Sequence, residues 1–363
     1  MLLPDLRIRN YRLFKEFEID RLARVNLIAG KNNTGKSSLL EAAYLVANPD
    51  VPSALADVLE VRGESDRRSR RSIVFPLFYG YRLSLGSTVG ISSGGMNVSF
   101  LIPDQDEARK LLDELYRSSR MVRSDEEIEP EEEEPVLLMQ IKRSGGKSWS
   151  FLLRGEEGVT TPYYLLRRPL PLGQQEPKCA FLLEGTASLY SRFREMAKKW
   201  DGISLTPQAG DVIEALRIIE LRVKNIDFLG TEDNVKVLLE GEESPILIGS
   251  LGDGMRHLLM IALLLVSARG GVLLIDEMDT GLHYTVMVDL WRLVFKMAEK
   301  LDVQVLATTH SLDCITAFSE AWSEAKESDG LYLRLRRKGE QIRTVIYTAE
   351  ELRIAIEQGI EVR

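Results

Sequence analysis

Residues Gly30-Lys31-Asn32-Asn33-Thr34-Gly35-Lys36-Ser37 match the spacing G-x-x-x-x-G-K-[ST] at every constrained position. Two glycines in that pattern let the backbone turn sharply and approach an anion with no Cβ in the way. The lysine reaches the outer phosphates of a nucleotide, and the following hydroxyl coordinates Mg²⁺. Gly30, Asn32, Asn33, Thr34, Gly35, Lys36, Ser37 and Ser38 are therefore candidate nucleotide-binding residues, with Ser37 also a metal ligand. A second group sits far along the chain, where an apolar run ends in Asp276-Glu277. Asp276 is placed to hold Mg²⁺ through water, and Glu277 to orient or deprotonate an attacking water. Just before it, Ser250, Gly252, Asp253 and Gly254 open an apolar helix, a second helix N-terminus suited to an anion. The three histidines, His257, His283 and His310, all fall in this part of the chain. His310, between the hydroxyls of Thr309 and Ser311 at a strand end, is suited to sensing a terminal phosphate. His257 and His283 are open between a packing role and a functional one.

These side chains need a scaffold. Residues 25–29 read as a buried strand, and residues 36–47 carry apolar positions at helical spacing. The loop between them thus ends on a helix N-terminus, where unpaired N–H groups and the helix dipole favour phosphate. Residues 6–11 and 14–19 alternate as half-buried strands do. Beyond residue 250 the pattern predicts a helix over 258–266, a strand into Asp276, a helix over 286–301, a strand over 304–308, a hairpin from 331–336 and 343–347, and a closing helix over 350–358. From about 50 to 215 the signal weakens. Strands are predicted at 96–102, 136–141 and 149–153, helices at 107–116, 187–200 and 210–221, and a loop at 165–173.

The chain has 363 residues, enough for about two domain units, with 44% apolar and 28% charged residues. Its net charge of -8 argues against a uniformly basic nucleic-acid binder but leaves room for a local basic groove. Residues 62–71 contain five arginines and two acids, and residues 125–134 contain eight acids; both read as contact surfaces, the second as a disordered loop. The longest apolar stretch, 258–266, is far short of the roughly 20 residues a membrane span requires. The start of the sequence becomes charged too early for a signal peptide. Two cysteines form neither a metal pattern nor a disulfide framework. A cytoplasmic protein with no membrane partner is expected.

The order of these motifs, with Gly281-Leu282-His283 and Thr308-Thr309-His310-Ser311 after the paired acids, resembles the ABC-type heads shared by the RecF, SMC and OLD (overcoming lysogenization defect) AAA ATPases. The resemblance covers residues 1–48 and 235–315 and points in particular to the compact OLD-like ATPases, in a stand-alone form without a Toprim nuclease domain. It implies an α/β P-loop NTPase of the ABC-ATPase head type: a mixed central sheet, antiparallel N-terminal strands and a large α+β insertion. The corresponding divisions are 1–48, 49–230 and 231–363. In such heads two copies sandwich two ATP molecules, each signature loop facing the partner's P-loop. By that likeness Lys36, Ser37 and Asp276 hold Mg²⁺-ATP, and Glu277 is the catalytic base. Ser250, Gly252, Asp253 and Gly254 press on the partner's nucleotide, Asp279 lies in a dimer contact, and His310 is the switch histidine. Gly252 stands where the family usually has serine, so Ser250 or backbone N–H groups would bind instead. Gln140 is the candidate for the glutamine that senses magnesium. Only 52 residues follow Ser311, with no Asp-x-Asp pair, so nuclease chemistry is not expected within this sequence. The implied function is an ATPase, converting ATP to ADP and phosphate, that dimerises and controls a separately encoded effector such as a Toprim-like nuclease in anti-phage defence. The alternative is a RecF-like repair ATPase whose partner is DNA.

Overall fold

The computed structural model describes residues 3–48, 51–66, 71–82, 84–104, 106, 110, 135–142, 148–154, 159–160, 179–182, 196–229, 234–326, 329–339 and 341–363. The N-terminal strands β1 (Leu6–Tyr11) and β2 (Phe14–Ile19) form an antiparallel hairpin. Their apolar residues are buried and most of the intervening charged ones exposed. In β3 (Val25–Gly30) every residue is buried, as expected of a strand covered on both faces. Two helices follow, α1 (Lys36–Ala47) and α2 (Val51–Val61).

The next segment supplies short strands β4 (Ser65–Asp66) and β5 (Arg71–Ile73), then β6 (Thr88–Ser93), β7 (Met96–Leu101), β8 (Pro135–Lys142), β9 (Ser148–Arg154), β10 (Val159–Thr160) and β11 (Cys179–Leu182). After α3 (Pro207–Leu216) come β12 (Val223–Leu229), β13 (Asn234–Leu239) and β14 (Ile246–Leu247). The rest of the chain is α4 (Asp253–Ser267), β15 (Val272–Ile275), α5 (Met287–Leu301), β16 (Gln304–Thr309), α6 (Leu312–Glu324), β17 (Gly330–Lys338), β18 (Gln341–Tyr347) and α7 (Ala349–Glu357).

The central sheet has the order β11-β15-β16-β3-β17-β18. All its neighbours run parallel except the β17–β18 hairpin. Parallel pairs need long crossovers, here α1, α5 and α6 among others. Side chains alternate across this sheet: Val25, Leu27 and Ala29 enter a core shared with α3 to α7. Ile28, Leu274, Leu306 and Leu333 enter a second core shared with α1, α2 and the other large sheet. That second sheet is antiparallel throughout, in the order β2-β1-β6-β7-β8-β9.

Strands from the segment read as an insertion extend both large sheets. Strands β6 to β9 continue the N-terminal hairpin, and β11 pairs with β15 inside the central sheet. A strand edge presents unpaired N–H and C=O groups, and these additions cover one edge of each. Neither β11 nor α2 was expected from sequence; a four-residue apolar run is ambiguous between strand and helix. The helix expected at 210–221 lies earlier, at Pro207–Leu216, with proline in its first turn, where no N–H is missed. The acidic run 125–134, the loop at 165–173, Arg67, Arg68 and Arg70, and most of the helices at 107–116 and 187–200 lie outside the described residues. Among the described residues no helix is long and apolar enough to cross a membrane.

Candidate nucleotide site

Strand β3 lies between β16 and β17 and delivers Gly30 to the C-terminal edge of the central sheet. A Cβ on Gly30 would stand 2.6 Å from Thr34 Oγ1 and 2.9 Å from the Leu335 carbonyl oxygen, so the loop closes only over glycine. Gly35 has φ +93° and would drive a Cβ to 2.8 Å from the Phe14 ring. The Thr34 hydroxyl donates to the Lys31 carbonyl at 2.8 Å. Lys36 is buried, and its ammonium donates to the carbonyls of Gly30 (2.8 Å) and Lys31 (3.2 Å). Burial pulls its pKa below the ordinary lysine value, against the opposing pull of Asp276, Glu277 and Asp279. Ser38 is buried in the first turn of α1, while Asn32 and Asn33 are exposed at the loop tip.

Asp276 leaves the end of β15 and is itself buried. Its two carboxylate oxygens have different partners. Oδ2 accepts from the Ser37 hydroxyl at 2.5 Å, and Oδ1 accepts from the Thr308 hydroxyl. The same Thr308 oxygen accepts from the Glu277 backbone N–H at 2.9 Å. Parallel pairing of Ile275 with Ala307 sets this register, which brings Thr308 alongside Asp276. The Ser37 hydroxyl and the Asp276 carboxylate are hard oxygen donors, and they fit Mg²⁺, which takes one or two carboxylates together with phosphate oxygens and water.

Glu277 has φ +55°, a left-handed backbone that costs a non-glycine residue about 1–3 kcal/mol. Its half-exposed carboxylate lies 3.7 Å from His310 Nδ1. The loop that follows is tied to the end of β16: Met278 N–H donates to the Thr308 carbonyl (2.9 Å), and the Thr309 hydroxyl donates to Asp279 Oδ1 (2.5 Å). Ser311 caps α6 by accepting from the Cys314 N–H.

Gly252 has φ 90° and ψ 167°, a region open essentially to glycine alone. A serine there would be strained in this backbone, which accounts physically for the missing side chain. Gly254, in the first turn of α4, would place a Cβ 2.8 Å from the Gly281 carbonyl oxygen. The signature loop therefore presses on the segment after Asp279. Ser250 and Asp253 are exposed, the latter 3.5 Å from Arg256. His257 is buried with Nε2 3.3 Å from the Met278 carbonyl oxygen, joining α4 to the same segment. His283 is exposed beside Tyr284, with Nδ1 2.9 Å from the Thr285 hydroxyl. Gln140 belongs to β8 in the antiparallel sheet, paired with Ser99 and Ser150.

With this geometry, the chain is similar to a solved SMC head bound to the C-terminal winged-helix domain of ScpA: TM-score 0.50, 13% identity, covering 98% of this chain and 100% of that one. The fold is that of an ABC-type ATPase head. Two family models match separate parts of this head. Residues 1–143 match "AAA ATPase domain", and residues 172–313 match "AAA domain, putative AbiEii toxin, Type IV TA system". A Helicobacter pylori protein named "ATP/GTP phosphatase" is 22% identical over 361 residues, covering 89% of each chain. An uncharacterized Methanocaldococcus jannaschii protein is 32% identical over 114 residues, 31% of this chain and 99% of its own.

Two clefts flank the P-loop of the head. One, of about 370 Å³, is lined by loop residues 31–34, by Arg334, Arg336 and Arg337 of β17, and by Arg363. The other, of about 350 Å³, is lined by Lys31, Asn32, His310, Glu361 and Arg363. Neither is lined by Ser250, Gly252, Asp253 or Gly254. The sequence assigns no role to the basic residues of β17 or to the 361–363 segment, and it shows Thr308 only as part of the Thr308–Ser311 motif, not as a bridge between Asp276 and Glu277. Arginine alternation in 334–336 is visible there, but its position depends on the pairing of Leu335 with Gly30.

Proposed function

We propose that this head binds ATP with Mg²⁺, hydrolyses it to ADP and phosphate, and dimerises around two ATP molecules to control a separately encoded effector, a Toprim-like nuclease, in anti-phage defence. The observation that carries the reading is the Ser37–Asp276 hydrogen bond, which joins the P-loop helix to the end of β15. In this reading the Lys36 ammonium exchanges the carbonyls of Gly30 and Lys31 for phosphate oxygens. Ser37 and Asp276 hold Mg²⁺, which neutralises developing phosphate charge. Glu277 accepts the proton of the attacking water, and His310 meets the terminal phosphate. The strained backbone at Glu277 supports a functional role, because such strain persists where its surroundings hold it in place. The names "AAA ATPase domain" and "ATP/GTP phosphatase" support hydrolysis, and the toxin–antitoxin description supports defence. Exposure of Ser250, Gly252 and Asp253, none of which lines the clefts beside their own P-loop, is what a contact supplied by a second copy requires. Glu277→Gln, measured by light scattering at saturating Mg²⁺-ATP, is expected to double in mass with ATP and not with ADP. An unchanged mass with ATP rejects the sandwich.

A RecF-like reading, with DNA as partner, is favoured by one feature. Arg336 and Arg343 face each other across the β17–β18 hairpin, an arrangement that costs stability without an anion between them. Among the described residues neither they nor Arg337 and Lys338 have an acidic partner at ion-pair distance. DNA-stimulated hydrolysis and affinity falling steeply with salt are the expected signs.

A further inference from the structure

After α7 the chain doubles back. Gly359 has φ +67°, and the Ile360 N–H donates to the Ala355 carbonyl at 2.8 Å. Residues 361–363 then lie along β17 and are held by their backbone. The Tyr332 hydroxyl donates to the Val362 carbonyl at 2.6 Å, and the Arg334 guanidinium donates to the Glu361 carbonyl. Burial alternates: Val362 is fully buried, while Glu361 and Arg363 are exposed and line the cleft with Lys31, Asn32 and His310. Arg363 pairs with Glu361 through two hydrogen bonds, Nε to Oε1 at 3.0 Å and NH2 to Oε2 at 3.1 Å. These bonds hold the Glu361 carboxyl well below its ordinary range, at about 2, so both partners are charged near neutral pH.

The arrangement combines a fixed backbone with an exchangeable side chain. An exposed ion pair is worth little in water. A guanidinium forms stronger, two-pronged bonds to a phosphate that arrives in the same cleft. We propose that Arg363 is a phosphate-contacting residue of this head's own nucleotide site, meeting the terminal phosphate of ATP beside Lys31, Asn32 and His310, with Glu361 as its counter-ion when no triphosphate is bound. This rests on the nucleotide site proposed above. ADP lacks the terminal phosphate, so the contact discriminates between ATP and ADP within one chain.

The test is calorimetric titration of the full chain, in Mg²⁺, with ADP and with the non-hydrolysable ATP analogue AMP-PNP. Arg363→Gln is expected to weaken AMP-PNP binding about tenfold and to change ADP binding by less than about twofold, with Arg363→Lys recovering part of the loss. Glu361→Gln is expected to strengthen AMP-PNP binding a few-fold, and that gain should vanish when Arg363→Gln is also present. Equal weakening of both nucleotides by Arg363→Gln, or no change in either, overturns the inference while leaving the site intact. Failure of the unaltered protein to bind either nucleotide overturns the site itself. Both side chains are exposed, and thermal melting checks that each variant is folded.

Discussion

Ser37 and Asp276 are 239 positions apart in the chain, and the hydroxyl of one donates to the carboxylate of the other at 2.5 Å. The bond crosses from the first turn of α1 to the end of β15. It brings together the two oxygen donors that would hold Mg²⁺ in the proposed reaction. Asp276→Asn removes the charge and keeps one acceptor oxygen, while its amide NH2 turns the other position from acceptor to donor. It is expected to weaken Mg²⁺ affinity in the nucleotide complex about 10- to 100-fold, measured as the Mg²⁺ concentration at half-maximal ATPase rate. Unchanged Mg²⁺ dependence would remove Asp276 from the metal site.

Thr308 is fully buried and joins Asp276 Oδ1 to the Glu277 N–H through one oxygen. Thr308→Val keeps the shape and strands both partners. A loss of about 1–3 kcal/mol of stability is expected in chemical denaturation, together with slower turnover because Glu277 loses the bond that holds its backbone. Thr308→Ser, with the hydroxyl retained, should recover most of both. A valine variant as stable and active as the parent would show the bridge to be dispensable.

Lys36 gives a pH signature in the absence of any nucleotide. Burial lowers its pKa from the ordinary 10.5, so between the folded value and 10.5 the unfolded chain binds more protons than the folded one. Stability contributed by this residue therefore rises with pH across that window. Lys36→Met removes the titration. As the pH is raised toward 10.5, the melting temperature of the parent should climb relative to Lys36→Met, since every other group titrates in both proteins. A constant difference would mean that Lys36 is no more buried in effect than a surface lysine.

Gly254 meets the Gly281 carbonyl oxygen closely enough that a methyl group cannot enter without displacing backbone. Gly254→Ala is expected to cost about 1–3 kcal/mol and to shift the segment around Asp279. Placed in a Glu277→Gln background, it should prevent the ATP-dependent doubling of mass while nucleotide binding to the single chain persists, because Gly254 lines neither cleft beside the P-loop. Loss of nucleotide binding by the isolated chain would place the signature in its own site.

Elements with local causes were legible in the sequence. The strand, tight loop and helix over residues 25–47 are contiguous, and their glycines, apolar spacing and helix formers act within a few residues of one another. The same holds for the strand ending at Asp276 and for the hairpin of β17 and β18. Gly252 was legible only as a departure from the family pattern, since its backbone angles are set by how the signature loop enters α4. The strand at Cys179–Leu182 was illegible because four apolar residues carry no period of their own.

The amino-acid sequence by itself determined that a phosphate-type loop forms at residues 30–37 and that two acids terminate a buried strand, because both follow from short-range sterics and apolar patterning. Only the tertiary structure decided that Thr308 bridges Asp276 and Glu277, that arginines of β17 flank the P-loop, and that Arg363 shares a cleft with His310. Those relations arise from the parallel registers of β15, β16, β3 and β17. Register between strands separated by tens to hundreds of residues is set by the packing of two whole cores, which no local stretch of sequence encodes.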